Sequence, residues 1–539
     1  MIETGSQRLV AAPPSRPRGR VIGERAPAPR PTRRRRGWVD PLWLGVVATL
    51  VVSIGSWIPS KWSDEVATQS AASRSVGQLW QMMQNVDAVH GAYYLFMHFW
   101  IIGFGTSNFA LRAPSMMAVG IACAGVAVLG HRLGGRRLAV LGGLVFAILP
   151  RVTWMGMEAR SLAFTAAVAV WLTVILLKAI ERRAVSWWAI YAGLGALAVV
   201  LNIYLALLIV AHGVAIALAR GRLERPRRLL LGWATGALIA AAVSFPIDRL
   251  TMGQTGQLPK TPLTPTGTLD TLLFAQYFSG ATPTVARSVP FPPTGLWSAA
   301  VIIAAILGWS LILAPLAWRR LRPIPPRRLP ISPLQLLLPW AVLPIVLVIT
   351  YSAIVHPMYS ARYFSFTTPA IALLIASPLA RIRIPWMRVA AVAMVAVVVL
   401  PVYIAQRGPT AKNGTDWQQA AAILQAHAAP GQDIYYGPVR SHSLVSMRKL
   451  RDAYPAVLDQ LHDISLRTTG AQSATLWGTH WSLNTENATL RTTPVLWAVI
   501  EHSGTPSKTT AQERYIETQG LRMVHIWRGS MTDVVEFER

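Results

Sequence analysis

Lys61-Trp62-Ser63-Asp64-Glu65 follows directly on an apolar run, 41–59, and the reading of the whole chain turns on it. Between Trp38 and Gln406 the acidic residues number nine: Asp40, Asp64, Glu65, Asp87, Glu158, Glu181, Glu224, Asp248 and Asp270. Two of them side by side at the end of an apolar run need a reason. We read the pair as a catalytic one, held where a membrane meets water.

Composition sets the class. Hydrophobic residues make up 53% of the 539 and charged residues 14%, against roughly 25% charged in a soluble domain. With a mean hydropathy of +0.40, the chain reads as an integral membrane protein. A formal net charge of +28 invites a nucleic-acid reading, but the Arg residues cluster between apolar runs, where the positive-inside rule accounts for them. The sole cysteine, Cys123, lies in an apolar run, so an intrachain disulfide and a multi-thiolate metal site are both excluded.

Segment 1–37 is rich in Pro and Arg, lacks the residues of a core, and reads as a disordered cytoplasmic tail. After it come eleven apolar runs: 41–59, 111–130, 138–150, 161–180, 186–201, 203–219, 229–246, 297–317, 333–353, 364–380 and 387–406. Each is near the length that crosses the hydrocarbon, or somewhat short of it. With the tail inside, the cytoplasmic loops are 131–137, 181–183, 220–228, 319–328 and 381–388, all Arg-rich, while the opposite loops hold six of the nine acids. That asymmetry predicts about eleven helices with the C-terminus outside. The stretch 90–104 is apolar but short, and a crossing there would invert every later loop. It is expected to lie along the outer leaflet.

This topology predicts a first external loop at 60–110 and a second at 247–296, the latter including Gln276-Tyr277 as sugar-contact candidates. His98 and His212, each alone on an apolar helix, read as packing residues. After Gln406 the composition becomes that of a soluble domain, 407–539. Helices are expected at 416–427 and 511–518, and strands at 434–436, 474–477, 494–500, 523–527 and 533–537. The pattern is that of an extracytoplasmic α/β domain.

The first loop carries Trp62-Ser63-Asp64-Glu65, then Asp87-Ala88-Val89-His90-Gly91-Ala92-Tyr93-Tyr94, then Phe104-Gly105-Thr106-Ser107-Asn108-Phe109-Ala110-Leu111-Arg112-Ala113-Pro114-Ser115. Met157-Glu158-Ala159-Arg160-Ser161 opens the fourth run, and Ser360-Ala361-Arg362-Tyr363-Phe364 opens the tenth, with Pro369 beyond. In this order, over residues 40 to 400, the set resembles the polytopic glycosyltransferases of the GT-C fold, in the protein O-mannosyltransferase-like and aminoarabinose-transferase-like group. The chain has His90-Gly91-Ala92 where that family usually has a Pro-containing stretch. The fold expected is therefore an all-α polytopic one, GT-C-like, followed by the α/β domain.

The resemblance implies a polyprenyl-phosphate sugar donor. Chemistry points to the same class, because nucleotide sugars are confined to the cytoplasm and an external transferase needs its activated sugar carried across on a lipid. Asp64 is the expected base that takes the acceptor's proton, with Glu65 as a second candidate or an acceptor-orienting group. Arg362, Arg160 and Lys61 are the expected cations for the leaving phosphate. Glu158, Asp87, His90, Tyr363 and Tyr204 are expected to contact substrate. Metal dependence is left unassigned, although Asp64, Glu65 and Glu158 could converge on a divalent cation. The family group points to mannose and a cell-envelope glycan, lipoglycan or protein acceptor at the plasma membrane. The Ala- and Arg-rich composition resembles actinobacterial enzymes using polyprenyl-phosphate mannose. Arabinose is the second sugar. A lipid-linked sugar flippase is the competing class, but it would need ionisable groups at mid-membrane depth, and this chain keeps its acids at the run ends. A receptor merely anchored by its spans is a third, for which eleven runs are too many.

Overall fold

The computed structural model describes residues 39–254, 256, 262–280, 295–318, 330–439, 442–502 and 510–539. Segment 1–37, the Arg-rich stretch 319–328 and part of the second long loop lie outside the described residues.

A helix forms within each of the eleven apolar runs. In chain order the helices are α1 (Val39–Ser53), α2 (Ser63–Ala72), α3 (Val76–Asn85), α4 (Gly91–Phe104), α5 (Asn108–Gly134), α6 (Arg136–Ile148), α7 (Pro150–Gly156), α8 (Leu162–Arg182), α9 (Val185–Leu201), α10 (Leu205–Leu218), α11 (Pro226–Gly253), α12 (Pro265–Asp270), α13 (Gly295–Trp318), α14 (Pro333–Ile354), α15 (Thr368–Leu379) and α16 (Pro385–Ala405). Among the described residues α5, α8, α11, α13, α14 and α16 are six helices long and apolar enough to cross a membrane, and α6 with α7 makes a seventh if the pair, bent by 63°, is one span. That is the make-up of a membrane protein. Helices α1, α9 and α10 are apolar but shorter.

Local sequence explains several boundaries. Pro226, Pro333 and Pro385 stand in the first turns of α11, α14 and α16, where no N–H is needed. Ser75 with Gln78 and Ser332 with Gln335 form reciprocal capping boxes at α3 and α14. The break between α6 and α7 falls at Leu149, extended ahead of Pro150 because the proline ring excludes the helical conformation there. The tenth run opens as a 3-10 turn, Ala361–Thr367, before α15 begins. Helix α4 packs Tyr93, Tyr94 and Met97 inward and leaves Phe99, Ile102 and Phe104 exposed.

After α16 the chain forms α17 (Trp417–His427), β1 (Asp433–Tyr436), β2 (Pro438–Val439), β3 (His442–Ser446), α18 (Lys449–Ala453), α19 (Pro455–Leu458), β4 (His462–Asp463), β5 (Leu466–Thr468), β6 (Thr479–His480), α20 (Asn487–Thr492), β7 (Val495–Glu501), α21 (Ala511–Thr518), β8 (Arg522–Arg528) and β9 (Thr532–Glu538). One sheet runs β4-β1-β7-β9-β8, with β1 parallel to both neighbours and β9 antiparallel to β7 and β8. Alternation along β7 sends Trp497 and Val499 to the face covered by α17, and Leu496 and Ala498 to the face covered by α20 and α21. The strand expected at 474–477 does not form. Short polar side chains close a turn there, the Thr475 hydroxyl donating to the Trp477 carbonyl at 2.7 Å and its amide to Gly470 at 3.1 Å.

Helix α2 lies between these two parts. Its Val66 is packed in the same apolar cluster as Trp417, Leu424, Leu450 and Leu458, while Thr68 bonds the Ala159 carbonyl at 2.8 Å on the side of the helical bundle.

Candidate functional site

Asp64 and Glu65 sit in the first turn of α2, where the exposed backbone N–H groups favour negative charge. Successive helical residues point about 100° apart, so neighbours in sequence face different surroundings. Glu65 is fully buried. Its two oxygens meet the Arg112 guanidinium as a fork, both at 2.7 Å, and the Ala159 amide donates to one of them at 3.1 Å. The remaining Arg112 donors go to the carbonyls of Ser56, Pro59 and Ser60. Burial would raise the Glu65 pKa, but Arg112 outweighs it and holds the carboxyl below its ordinary value. So enclosed, Glu65 offers no face to an acceptor hydroxyl. The geometry encloses the residue that the sequence offers as a second candidate base or an acceptor-orienting group.

Asp64 keeps 21% of its side chain exposed. It accepts from Arg362 at 2.5 Å and lies 3.4 Å from Arg160. Burial pushes its pKa up, but these guanidinium groups win and lower it to about 2. Arg362 stands over the rings of Trp62 and Tyr363, at 5.4 and 5.2 Å. Tyr363 stacks on Tyr204 with ring centres 5.3 Å apart, and the Tyr204 hydroxyl is fastened to the Met358 carbonyl at 2.8 Å.

Arg160 connects this pair to the rest of the first loop. It donates to the Tyr94 hydroxyl at 2.9 Å and meets His90 Nε2 at 3.1 Å, while Tyr94 donates to Asp87 at 2.7 Å. Asp87 holds a left-handed backbone, φ 58°, which Asp tolerates. Burial keeps the Asp87 carboxyl above its ordinary pKa in spite of Arg160. Burial and then Arg160 push His90 well below its own, so its imidazole is neutral. A guanidinium only donates, so Nε2 accepts and the proton sits on Nδ1. That buried Nδ1 has no partner among the described residues. Asp64, Asp87, His90, Arg160, Arg362, Tyr363 and Tyr204, scattered between positions 64 and 363, thus form one connected set.

Glu158 is buried beside this set, between α7 and α8, and neither carboxylate oxygen has a hydrogen-bond partner among the described residues. Burial raises its pKa against the pull of Lys412 and Arg362. Lys412 is itself fully buried, its ammonium 3.7 Å from the Trp154 ring centre, and burial lowers it to about 8. The three carboxylates Asp64, Glu65 and Glu158 do not converge on a cation position: Glu65 is spent on Arg112, and among the described residues no three acidic, imidazole or thiol groups gather as ligands.

Lys61 departs from its expected part. Its ammonium is buried and donates to Gln69, the Thr106 carbonyl and the Ala453 carbonyl at 2.7–2.8 Å, with its pKa lowered by burial to about 7. With all three protons used, it ties loops together and has none left for a phosphate. Gln276 and Tyr277 are likewise closed in, bonded to each other, to Tyr359 and to Thr367. His98 and His212 are hydrogen-bonded inside the protein, as expected of packing residues. Sequence reasoning gave no part to Arg112, Tyr94, Lys412 or Lys449. Arg112 and Tyr94 stood inside quoted motifs, whereas the two lysines carried no local signal.

No family model matches the chain, and no curated protein matches it in sequence. Among solved structures it is similar to ArnT from Cupriavidus metallidurans bound to undecaprenyl phosphate, at TM-score 0.50 and 13% identity over 92% of this chain and 97% of that one. The apo state of the same protein aligns at TM-score 0.50 and 13% identity, over 93% and 98%. The apo Archaeoglobus fulgidus oligosaccharyltransferase aligns at TM-score 0.46 and 13% identity, over 87% and 70%. The end-to-end likeness to ArnT is one of fold, and the fold is GT-C.

Proposed function

We propose that the protein is a membrane glycosyltransferase that moves a sugar from a polyprenyl-phosphate carrier to an acceptor hydroxyl outside the cytoplasm. The observation that carries this reading is the partly exposed Asp64 carboxylate held by Arg362 and Arg160, in a fold whose ArnT example was solved with undecaprenyl phosphate. Eleven crossings, with α4 along the outer leaflet and the α/β unit outside the plasma membrane, fit the charge pattern of the loops.

In this reaction the acceptor oxygen attacks the anomeric carbon from the face opposite the phosphate. The bond from that carbon to the phosphate oxygen breaks, its electron pair leaves on the polyprenyl phosphate, and the hydroxyl proton passes to Asp64. One displacement inverts the anomeric configuration. A carboxylate at pKa about 2 is a weak base, so the ion pair has a second meaning. A donor phosphate settling on Arg362 and Arg160 draws their positive charge from Asp64, and the carboxylate's proton affinity rises when it is needed. As the bond breaks, charge grows on the leaving phosphate, where two fixed guanidinium groups stabilise it. His90 Nδ1–H and the Glu158 carboxylate, both unpartnered among the described residues, are suited to sugar hydroxyls.

Mannose is the donor sugar we favour and arabinose the second, with a cell-envelope glycan, lipoglycan or protein as acceptor. The test is transfer of radiolabelled mannose from polyprenyl-phosphate mannose to envelope acceptors, in membranes holding wild type or Asp64→Asn at matched levels. Transfer by wild type alone supports the enzyme and its base together. Equal transfer by both removes Asp64 as the base, and transfer from the arabinose donor only changes the sugar.

A further inference from the structure

The α/β unit reaches the mouth of the candidate site through Lys449, while Lys412 of the same segment is buried deeper and acts on Glu158. Its helix α18 and the turn before β6 grip α2: Gln69 donates to the Asp452 carbonyl at 2.8 Å, Lys61 to the Ala453 carbonyl at 2.7 Å, Ser70 to the Leu476 carbonyl at 3.0 Å, and Arg74 to the Thr475 carbonyl at 2.5 Å. These bonds hold the start of α18 beside the start of α2. Lys449, the first residue of α18, brings its ammonium to 3.4 Å from the Ser63 hydroxyl, one residue before Asp64. The same ammonium lies 4.6 Å from the centre of the Trp477 ring.

Lys449 has no carboxylate within ion-pair distance among the described residues, and its ammonium meets a hydroxyl and an aromatic face. The acids it feels, Asp64 and Asp452, are more distant, and Asp64 is already shared by two guanidinium groups. A ring face orients an ammonium without neutralising it. The mouth of the site therefore carries three cations, and Asp64 is paired with two of them and not with Lys449. Such a surplus attracts and holds an anion.

We propose that the C-terminal α/β unit completes the donor site, with Lys449 binding the phosphate of the polyprenyl-phosphate sugar alongside Arg362 and Arg160. Trp477 keeps the ammonium in place. This rests on the function proposed above. The donor is a phosphodiester with one negative charge and the departing carrier is a monoester with more, so the contact strengthens as the sugar leaves.

The experiment uses the full chain in lipid nanodiscs, as wild type, Lys449→Gln and Lys449→Arg. Three quantities are read: kcat/KM for the donor, the Kd of undecaprenyl phosphate against undecaprenol, and Tm. Lys449→Gln should lower donor kcat/KM about 10- to 100-fold, the loss of one charged hydrogen bond, and weaken undecaprenyl phosphate to a similar degree. Undecaprenol binding, acceptor KM and Tm should stay as in wild type, and Lys449→Arg should recover most of the loss. An active wild type with Lys449→Gln unchanged in kcat/KM and Kd overturns the inference alone. So does a loss that comes with a lowered Tm and that Arg fails to restore. A wild type that binds no undecaprenyl phosphate and transfers no sugar overturns the proposed function, and the inference falls with it.

Discussion

The first turn of helix α2 holds two neighbouring carboxylates with opposite surroundings. On the bundle side Glu65 is sealed from water, with both oxygens on Arg112 and a backbone amide besides. Asp64, also met by residues of the bundle, is open by a fifth of its side chain and leans on two arginines that stand at the edge of the site. Adjacent acids in one helical turn share the same favourable dipole, so the difference comes from what meets them. A closed fork is an anchor, whereas an open carboxylate between two cations can exchange partners when a phosphate arrives.

The comparison breaks most sharply at Asp64. Asp64→Asn keeps the shape and removes the proposed base, so sugar transfer should fall about 10²- to 10⁴-fold with a loss of Tm smaller than that expected at Glu65. Initial rates and a melting curve on the same purified sample check this, and near-normal transfer would take the base away from Asp64. The reciprocal outcome is expected at Glu65. Breaking a fully buried pair from one side costs about 3–5 kcal/mol, so Glu65→Ala or Arg112→Ala should lower the yield of folded protein and its Tm in detergent. The double substitution Glu65→Met with Arg112→Leu should recover much of that stability, because no buried charge is left alone. If Glu65→Ala instead folded normally and lost only activity, the division between anchor and base would be wrong.

Why one half of this comparison was legible in sequence and the other was not follows from how each is encoded. Apolar runs encode the helices directly, so α5, α8, α11, α13, α14 and α16 stand where the hydropathy put them. Period-two alternation did the same for β7, whereas 474–477 is a turn, because short polar side chains there bond to the local backbone, and the short elements β2 to β6 and α18 to α20 were not expected from the sequence. The partnerships had no such signal. Arg362 lies 298 residues from Asp64, and Arg112 lies 47 residues from Glu65. Nothing in composition says which cation meets which acid, and Asp64 and Glu65 look alike until α2 is placed. Arg160 and Arg362 were singled out through motif resemblance. Lys61, a lysine beside the acids, reads as a phosphate ligand in sequence, whereas in the structure Gln69 and two carbonyls surround it. Lys449 was passed over because it belongs to a segment whose sequence looks like an independent soluble unit.

The smallest expected effect sharpens the comparison by titration. The folded pKa of Asp64, about 2, lies below the unfolded value of about 3.9, so the folded protein binds fewer protons there than the unfolded chain. The stability that Asp64 contributes is therefore fully present above the unfolded pKa and is lost as pH falls toward the folded one. Between pH 6 and pH 3 the loss should be about 1 kcal/mol. Other carboxylates titrate over the same range, Glu65 among them, but they do so equally in Asp64→Asn. The stability gap between wild type and Asp64→Asn, measured by denaturant or thermal unfolding in matched detergent, should narrow by that amount on acidification. A gap that held constant from pH 6 to pH 3 would mean that the guanidinium pair does not grip Asp64, and with it would go the idea that an arriving phosphate frees the base by taking that grip away.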